Sequence, residues 1–238
     1  DAVDAVWSER PGLPDALVHE HLPPHAATSR TDKLLQVRQT MAQLGASHHW
    51  ISTVDDLCWA LNLRGSDVDY NPVFLGHVLI SADQCALYVA PGKVSSGLKA
   101  KLQADGIEVR PYDQAWRGLN TLPDGATLLM DPKRVTWGMR QAVPAGVKVL
   151  LSINPSTLAK SRKTDAESAF VREAMAHDGA AMCTFYAWLE QALGKEHVSE
   201  LTIDQRLSAE REKQPGFVSL SFPTIAATRS ALRASSFS

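Results

Sequence analysis

The amino-acid sequence predicts an α/β protein, in which a mixed β-sheet covered by helices is followed by two helices and one strand. Short β-rich runs alternate with helical patterns between residues 30 and 152, and longer helical patterns begin after Asn154-Pro155. The chain has 238 residues, 45% of them hydrophobic, and a net charge of -2. This composition is typical of a globular protein and argues against nucleic-acid binding.

The first 29 residues are predicted to be a linker between domains, because repeated prolines prevent a continuous helix. These prolines are Pro11, Pro14, Pro23 and Pro24. The first helix is predicted from Asp32 to Leu44, where apolar residues recur on one helical face. Thr31 is its expected N-cap, and Gly45 is expected to end it.

A strand, a helix and a hairpin are expected next. His49–Val54 is rich in β-forming residues, and Thr53 with Asp56 has the spacing of a capping pair that opens a helix. Two further β-rich runs, Val73–Ile80 and Cys85–Val89, are separated by a short polar segment. This spacing predicts an antiparallel hairpin.

The remainder of the first predicted domain alternates between helices and strands. In chain order we expect a helix near 95–104, a strand at 107–110, a helix near 113–119, a strand at 127–130, a helix near 133–143 and a strand at 147–151. With the preceding elements, these make residues 30–155 a self-sufficient α/β domain by size and pattern.

Residues 156–228 are predicted to begin a second domain of different character. Thr164 and Glu167 have capping-box spacing ahead of a long amphipathic helix that extends to Leu193. Thr202 repeats this spacing with Gln205 before a second helix. The alternating run Phe217–Phe222 then predicts a strand. Residues 229–238 are small and polar, and we expect a disordered tail.

Histidines are the first candidates for metal ligands. His19-Glu20-His21 with His25 is the densest cluster, but it lacks the spacing that places two imidazoles on one helical face. In a proline-rich linker these side chains are expected at the surface. His48 and His49 are neighbours at a strand start and point to opposite faces, so one should be buried and one exposed.

The cysteines and the apolar runs indicate in which cellular compartment the protein works. Cys58, Cys85 and Cys183 are odd in number, far apart and set among apolar neighbours, so we expect buried, reduced thiols and no disulfide. No apolar run approaches the length of a membrane span. The sequence therefore predicts a cytoplasmic protein that does not bind membranes.

One charged loop, Arg64–Asp69, offers two interpretations. Gly65 can adopt a positive φ, and the carboxylates of Asp67 and Asp69 could bind a cation or pair with Arg64. An internal ion pair is the structural interpretation, because a loop arginine flanked by aspartates often closes one.

Three segments resemble Xaa-Pro aminopeptidases, also called aminopeptidase P, of the creatinase/prolidase-like "pita-bread" metallopeptidase family. They are Trp7–Pro11, Asn62–Phe74 and Ser219–Ile225, in that order. The resemblance covers nearly the whole chain and implies a creatinase-like middle domain followed by the start of a pita-bread catalytic domain. It also implies that the loop bearing Arg64, Asp67 and Asp69 faces the substrate entrance of the intact enzyme.

The resemblance carries expectations about activity as well. The family releases an N-terminal residue that precedes proline, uses two divalent metal ions, expected to be manganese, and acts on peptides with proline second. A homodimer is also expected. The metal ligands of the family lie beyond the segment that Ser219–Ile225 resembles, and Ala226–Ser238 resembles nothing in the family.

We therefore assign no catalytic residue and no metal ligand, and we expect a truncated fragment that binds no metal and is inactive alone. A reading-frame shift and an engineered truncation would each explain the tail. The alternative function is a non-catalytic docking or oligomerisation module derived from the family.

Overall fold

A computed structural model describes residues 2–225. The chain forms two compact units, of which the first extends to Lys163 and the second begins at Thr164. The predicted domain limits at residues 29, 155 and 228 stay predictions. Residues 226–238, which include the predicted tail, lie outside the described part of the chain.

The first unit is built on a mixed sheet. Its strands are β1 (His19–Glu20), β2 (His48–Ile51), β3 (Leu63–Arg64), β4 (Gly76–Ser81), β5 (Cys85–Val89), β6 (Ile107–Pro111), β7 (Thr127–Met130) and β8 (Lys148–Leu151). Six of them form one sheet in the order β6-β5-β4-β2-β7-β8, while β1 and β3 form a separate two-stranded ribbon. β4 pairs antiparallel with β2 and β5, and the other pairings in the sheet are parallel. The predicted mixed α/β fold is confirmed.

The first unit also contains α-helices. They are α1 (Ala2–Val6), α2 (Arg30–Gln43), α3 (Val54–Leu61), α4 (Ser96–Ala104), α5 (Ala115–Asn120), α6 (Trp137–Gln141) and α7 (Pro155–Ser161). The cap of α2 was predicted wrongly: the Ser29 side chain, not that of Thr31, accepts from the backbone N–H of Asp32. The cap position therefore lies two residues earlier than the apolar pattern suggested.

Neighbouring residues of each strand point to opposite faces of the sheet. Both faces are buried because helices pack against each of them. On one face, Ile51, Val78 and Leu87 pack with side chains of α2, α3 and α4. On the other face, Trp50 and Tyr88 pack with side chains of α5 and of the segment after α6. The first unit therefore has two apolar clusters, one on each face of the sheet.

The capping pair predicted for α3 is also wrong. Thr53 occupies the N-cap position without making a side-chain cap bond. The carboxylate of Asp56 instead accepts from Asn154 Nδ2 at 3.1 Å and from Thr157 Oγ1 at 2.6 Å. Asn154 is the N-cap residue of α7, a helix that the sequence analysis did not predict. Asp56 therefore ties α3 to α7.

The second unit contains α8 (Asp165–Ala192) and α9 (Glu200–Glu212). The predicted capping box of Thr164 and Glu167 is confirmed at the start of α8. The second predicted pair, Thr202 with Gln205, is wrong, because Ser199 caps α9 by accepting from the N–H of Thr202.

The predicted strand at Phe217–Phe222 is not present as a strand. A strand requires a neighbour for its backbone N–H and C=O groups, and the described part of the second unit contains no other strand. The predicted strand at Phe217–Phe222 is therefore wrong, and its alternating pattern has no strand to pair with within residues 164–225.

Candidate functional site

The Arg64 loop begins where α3 ends. Asn62, the residue after α3, has φ 50° and ψ 45°, and this left-handed conformation turns the chain into β3. Gly65 follows, and a Cβ at this position would lie 2.7 Å from the Cβ of Phe74. Only glycine fits this approach without a shift, which explains the Arg-Gly sequence in physical terms.

Arg64 does not form the expected ion pair with Asp67 or Asp69. Its Nη1 donates to the backbone oxygen of Cys58 at 3.1 Å and to that of Leu63 at 2.8 Å. Among residues 2–225, no carboxylate lies within ion-pair distance of its guanidinium. Burial lowers the pKa of Arg64 from its ordinary value. Arg64 is therefore a half-buried cation held by backbone carbonyls.

Asp67 pairs with a different residue, Lys93. The Asp67 Oδ1 and Lys93 Nζ atoms form an ion pair whose side chains are 0% and 1% exposed. Asp67 Oδ2 also accepts from the N–H of Leu75 at 2.7 Å, and Lys93 Nζ donates to the Pro14 oxygen at 3.2 Å. Lys93 was missed because its sequence neighbours give no sign of a distant carboxylate. Asp69 is exposed.

The histidine cluster lies on and directly after β1, the strand that pairs with the strand of Arg64. His19 is directly opposite Arg64 in the β1–β3 pairing, and the N–H of His21 donates to the Asn62 oxygen at 2.8 Å. The rings of His21 and His25 stack with centroids 6.4 Å apart. Burial, followed by the nearby positive charge of Arg64, lowers the pKa of His21 to about 4. His21 is half-buried rather than at the surface as expected.

Glu20 takes no part in this cluster. Its carboxylate forms ion pairs with Arg30 of α2 and with Lys101 of α4, at 2.6 Å for the Lys101 pair. These bonds lower the pKa of Glu20, the Lys101 bond most. The alternation along β1 therefore sends its acidic side chain to one face of the ribbon and its basic neighbours to the other.

The remaining candidates are structural. His49 is fully buried, with Nδ1 within 3.1 Å of the Leu129 oxygen, and burial lowers its pKa to about 4. His48 is half-buried rather than exposed. Burial raises the pKa of Cys58 to about 11 and that of Cys85 to about 12, which makes both unreactive thiols.

The expectation of a third buried thiol is wrong, because Cys183 is exposed. The long helix α8 leaves most of its surface uncovered within its own unit, so apolar sequence neighbours do not imply burial there.

A groove of ≈ 690 Å³ lies elsewhere, beside β5 and β6. Its lining includes Glu108 and Arg110, which pair with each other at 2.6 Å. Arg64 and the histidine cluster do not line it. The charge of Arg110 is thus satisfied within the groove, in contrast to that of Arg64.

The described residues do not fit a two-metal centre. Such a centre needs several carboxylates and imidazoles that converge on two ions. Within residues 2–225, no group of three or more His, Cys, Asp or Glu side chains is placed to hold a metal ion. No helix in this range has both the length and the apolar character that crossing a membrane would require.

The fold of the chain is found in a known class of peptidase structures. The chain resembles X-prolyl aminopeptidase of Caenorhabditis elegans, described as a cytosolic enzyme with a di-nuclear active site, with a TM-score of 0.86 and 23% identity. The match covers 95% of this chain and 38% of that one. The fold is thus the creatinase-like mixed α/β fold found in part of aminopeptidase P structures.

Sequence comparison then identifies the family. Residues 9–167 match the creatinase/prolidase N-terminal domain, and the chain belongs to that family. It is 33% identical to Aminopeptidase P2 of Arabidopsis thaliana, over 94% of this chain and 36% of that protein. It is 30% identical to the probable Xaa-Pro aminopeptidase P of Fusarium vanettenii, over 95% of this chain and 39% of that protein. The chain thus spans little more than a third of these relatives.

Proposed function

We propose that this chain is the creatinase-like, non-catalytic part of a metal-dependent Xaa-Pro aminopeptidase, which releases an N-terminal residue preceding proline. The observation that carries the proposal is the alignment of nearly the whole chain with relatives named Xaa-Pro aminopeptidases. The substrates are peptides with proline at the second position, and the enzyme works in the cytoplasm. The cytosolic description of the Caenorhabditis elegans neighbour supports this location.

The two divalent metal ions of the activity, expected to be manganese, would be held outside residues 2–225. The di-nuclear site of the Caenorhabditis elegans enzyme supports a pair of ions, and the donor set of the described residues fits neither ion. The role of this chain would be to shape and support the enzyme, with no proton or electron transfer of its own.

Metal analysis and a peptide assay on the purified 238-residue chain test this assignment. We expect no stoichiometric manganese, zinc or cobalt after dialysis and no cleavage of an Xaa-Pro peptide. A relative spanning its full length, assayed in parallel, is the positive control. Turnover accompanied by two bound metal ions in the chain alone would contradict the proposal.

The Arg64 loop would border the substrate entrance of the intact enzyme. Support comes from the half-buried guanidinium of Arg64, which lacks an acidic partner in residues 2–225, and from Asp67, which is fixed by Lys93. Asp69, exposed on the same loop, would contribute charge at the rim. In the full-length enzyme, Arg64→Ala should lower kcat/KM for Xaa-Pro peptides. Unchanged kinetics and stability would remove the loop from this role.

A second candidate function is a docking or oligomerisation module, with a homodimer as the simplest form. It is favoured by Val218, Phe222 and Ile225, whose side chains are 83%, 59% and 86% exposed. Light scattering at increasing concentration should then give twice the mass of one chain, and Phe222→Ser should return the protein to the mass of one chain. A single-chain mass at all concentrations would exclude the homodimer.

A further inference from the structure

The β1–β3 ribbon has one basic face. In this antiparallel pair His19 is directly opposite Arg64, and Glu20 is opposite Leu63. Residues directly opposite each other project to the same side, and side chains two positions along a strand do so as well. His19 and Arg64 therefore share one face of the ribbon. His21 follows β1, donates its N–H to the Asn62 oxygen at 2.8 Å and lies near enough to Arg64 to feel its charge, and His25 stacks on His21. We call these four side chains the basic face.

Positive charge on this face is not balanced by the ribbon itself. Glu20 and Leu63 occupy the opposite face, where Glu20 is already paired with Arg30 and Lys101. Lys33 of α2 adds a further cation: its charge acts on His21, and its Nζ donates to Asn62 Oδ1 at 2.6 Å. Asp67, on the same loop as Arg64, forms its ion pair with Lys93 and does not neutralise this face.

Arg64 is the centre of this arrangement. Its Nη1 is occupied by the backbone oxygens of Cys58 and Leu63, which fix the plane of the guanidinium. A half-buried cation without an acidic partner has lost part of its hydration and gained no charge to replace it. An oxyanion placed against the other N–H groups of the guanidinium would supply that charge. Guanidinium groups bind carboxylates in a bidentate geometry.

We propose that the basic face binds a carboxylate group, with Arg64 as the bidentate donor and the imidazoles of His19, His21 and His25 around it. The carboxylate could be the C-terminus of a peptide or an acidic side chain, which share this chemistry. The site is a property of the present chain, and it stands whether or not the Arg64 loop borders a substrate entrance.

Binding should be coupled to protonation of His21. In the free protein, burial and the positive charges of Arg64, His25, Lys33 and His19 lower its pKa to about 4. Among the other ionisable groups, buried Cys58 acts on Arg64, and the charges of Asp55 and Asp67 act on Cys58. A bound carboxylate would raise the pKa of His21, so the complex takes up a proton. Affinity should therefore increase as the pH falls from 7.5 to 5.5, by up to about tenfold per pH unit.

Titration of the full chain with three acetylated peptides, followed by the imidazole NMR signals of the histidines, tests the site. The peptides are acetyl-Gly-Pro with a free C-terminus, acetyl-Gly-Pro amide, and acetyl-Glu-Pro amide, whose carboxylate is a side chain. At pH 5.5 the first should saturate and move the His21 signal to its protonated position, and the neutral amide should not. Binding by the third would show that side-chain carboxylates are accepted.

Variants separate this site from general charge effects. Arg64→Gln should weaken binding about tenfold or more, and Arg64→Lys should recover only part of it, because a single ammonium lacks the fork. Arg110→Gln is the matched control, because Arg110 already pairs with Glu108, and it should leave binding unchanged. His25 is exposed, so His25→Gln should keep the fold and weaken binding several-fold even if Arg64→Gln unfolds the chain.

Two results would overturn the proposal. One is equal binding of acetyl-Gly-Pro and its amide, which would show that no carboxylate is recognised. The other is unaltered affinity in both folded Arg64→Gln and His25→Gln. Peptide cleavage is not measured, so either failure is distinct from a failure of the proposed aminopeptidase function.

Discussion

The two units of the chain differ in how much of their apolar and charged side chains they bury. The first encloses its sheet between two apolar clusters and holds a fully buried ion pair, Lys93–Asp67. In the described part of the second, the buried apolar residues are Ala181, Phe185, Ala192 and Leu207. Large apolar side chains such as Met175 and Leu201 are 62% and 74% exposed there. The first unit thus has a dense apolar interior, whereas the described part of the second unit has a thin one.

Because of this difference, the same type of interaction should contribute differently to the stability of each unit. A buried charge that loses its partner is costly, whereas an exposed pair contributes little. Likewise, a glycine packed against a ring cannot accept a methyl group, but a glycine on an open helix face can. Pairs of substitutions, one in each unit, test this comparison.

The largest effect is expected for Lys93→Met in the first unit. It leaves Asp67 charged in a site where its side chain is 0% exposed, so the free energy of unfolding should fall by about 3–5 kcal/mol. Urea denaturation followed by circular dichroism measures the loss. Lys213→Met, which breaks the pair with Glu210 on α9, should cost less than about 1 kcal/mol because Lys213 is 64% exposed.

The double variant Lys93→Met with Asp67→Leu provides the decisive control. Removing both charges should recover much of the stability that the single variant loses, because no unpaired charge remains. If Lys93→Met costs no more than Lys213→Met, the contrast between the two units in this interaction is wrong.

A pH effect of about 3 kcal/mol is expected from His49 in the first unit. Burial lowers its pKa from 6.5 to about 4, so between these values the unfolded chain binds more protons than the folded one. The free energy of unfolding should therefore fall as the pH falls from 6.5 towards 4, and His49 contributes about 1.4 kcal/mol per pH unit at most. His49→Gln should make this slope shallower in urea denaturation but not abolish it, because burial also lowers the pKa of His21 and His77 to about 4. An equally steep slope in the variant would contradict the assignment.

Gly118→Ala should destabilise the first unit by about 1–3 kcal/mol. A Cβ at Gly118 would overlap the hydroxyl of Tyr88 and lie 2.7 Å from its Cζ. Tyr88 is 0% exposed and cannot move aside without disturbing Trp50, whose ring centroid is 5.8 Å away. Thermal unfolding monitored by near-ultraviolet circular dichroism reports both the stability and the ring packing. A neutral result would mean that α5 can shift away from the sheet.

The smallest effect, with opposite sign, is expected for Gly179→Ala in α8. A Cβ there would meet nothing within 4 Å, so the only change is the better helix propensity of alanine. The second unit should gain about 0.5–1 kcal/mol. Hydrogen exchange of α8 amides measures this gain locally, and a loss of protection would show that Gly179 has a packing role.

Local patterns predicted most of the sheet because each strand carries its own signal. The hairpin of β4 and β5 followed from two β-rich runs around a polar segment, and the start of α8 followed from Thr164 and Glu167. These features depend on residues a few positions apart, which is the range over which propensity and capping act.

The side-chain partners could not be predicted in the same way. Arg64 was expected to pair with a carboxylate of its own loop, Asp67 or Asp69, but Asp67 pairs with Lys93 and Arg64 is held by backbone oxygens. Asp56 was assigned to a helix cap, but Asn154 and Thr157, 98 and 101 positions further along the chain, donate hydrogen bonds to it. Such choices depend on which distant segments the fold brings together. The sequence thus drew attention to the residues of the Arg64 loop, but it did not predict their side-chain partners.

Lys93 connects three segments that are far apart along the chain. It lies in the turn after β5, and its Nζ contacts the Pro14 oxygen and the Asp67 carboxylate. Its ammonium can lose its hydration only when all three have arrived, so this contact should form after the rate-limiting step of folding. Removing it should then accelerate unfolding and leave the folding rate nearly unchanged. Lys93 would thus act mainly on the lifetime of the native state.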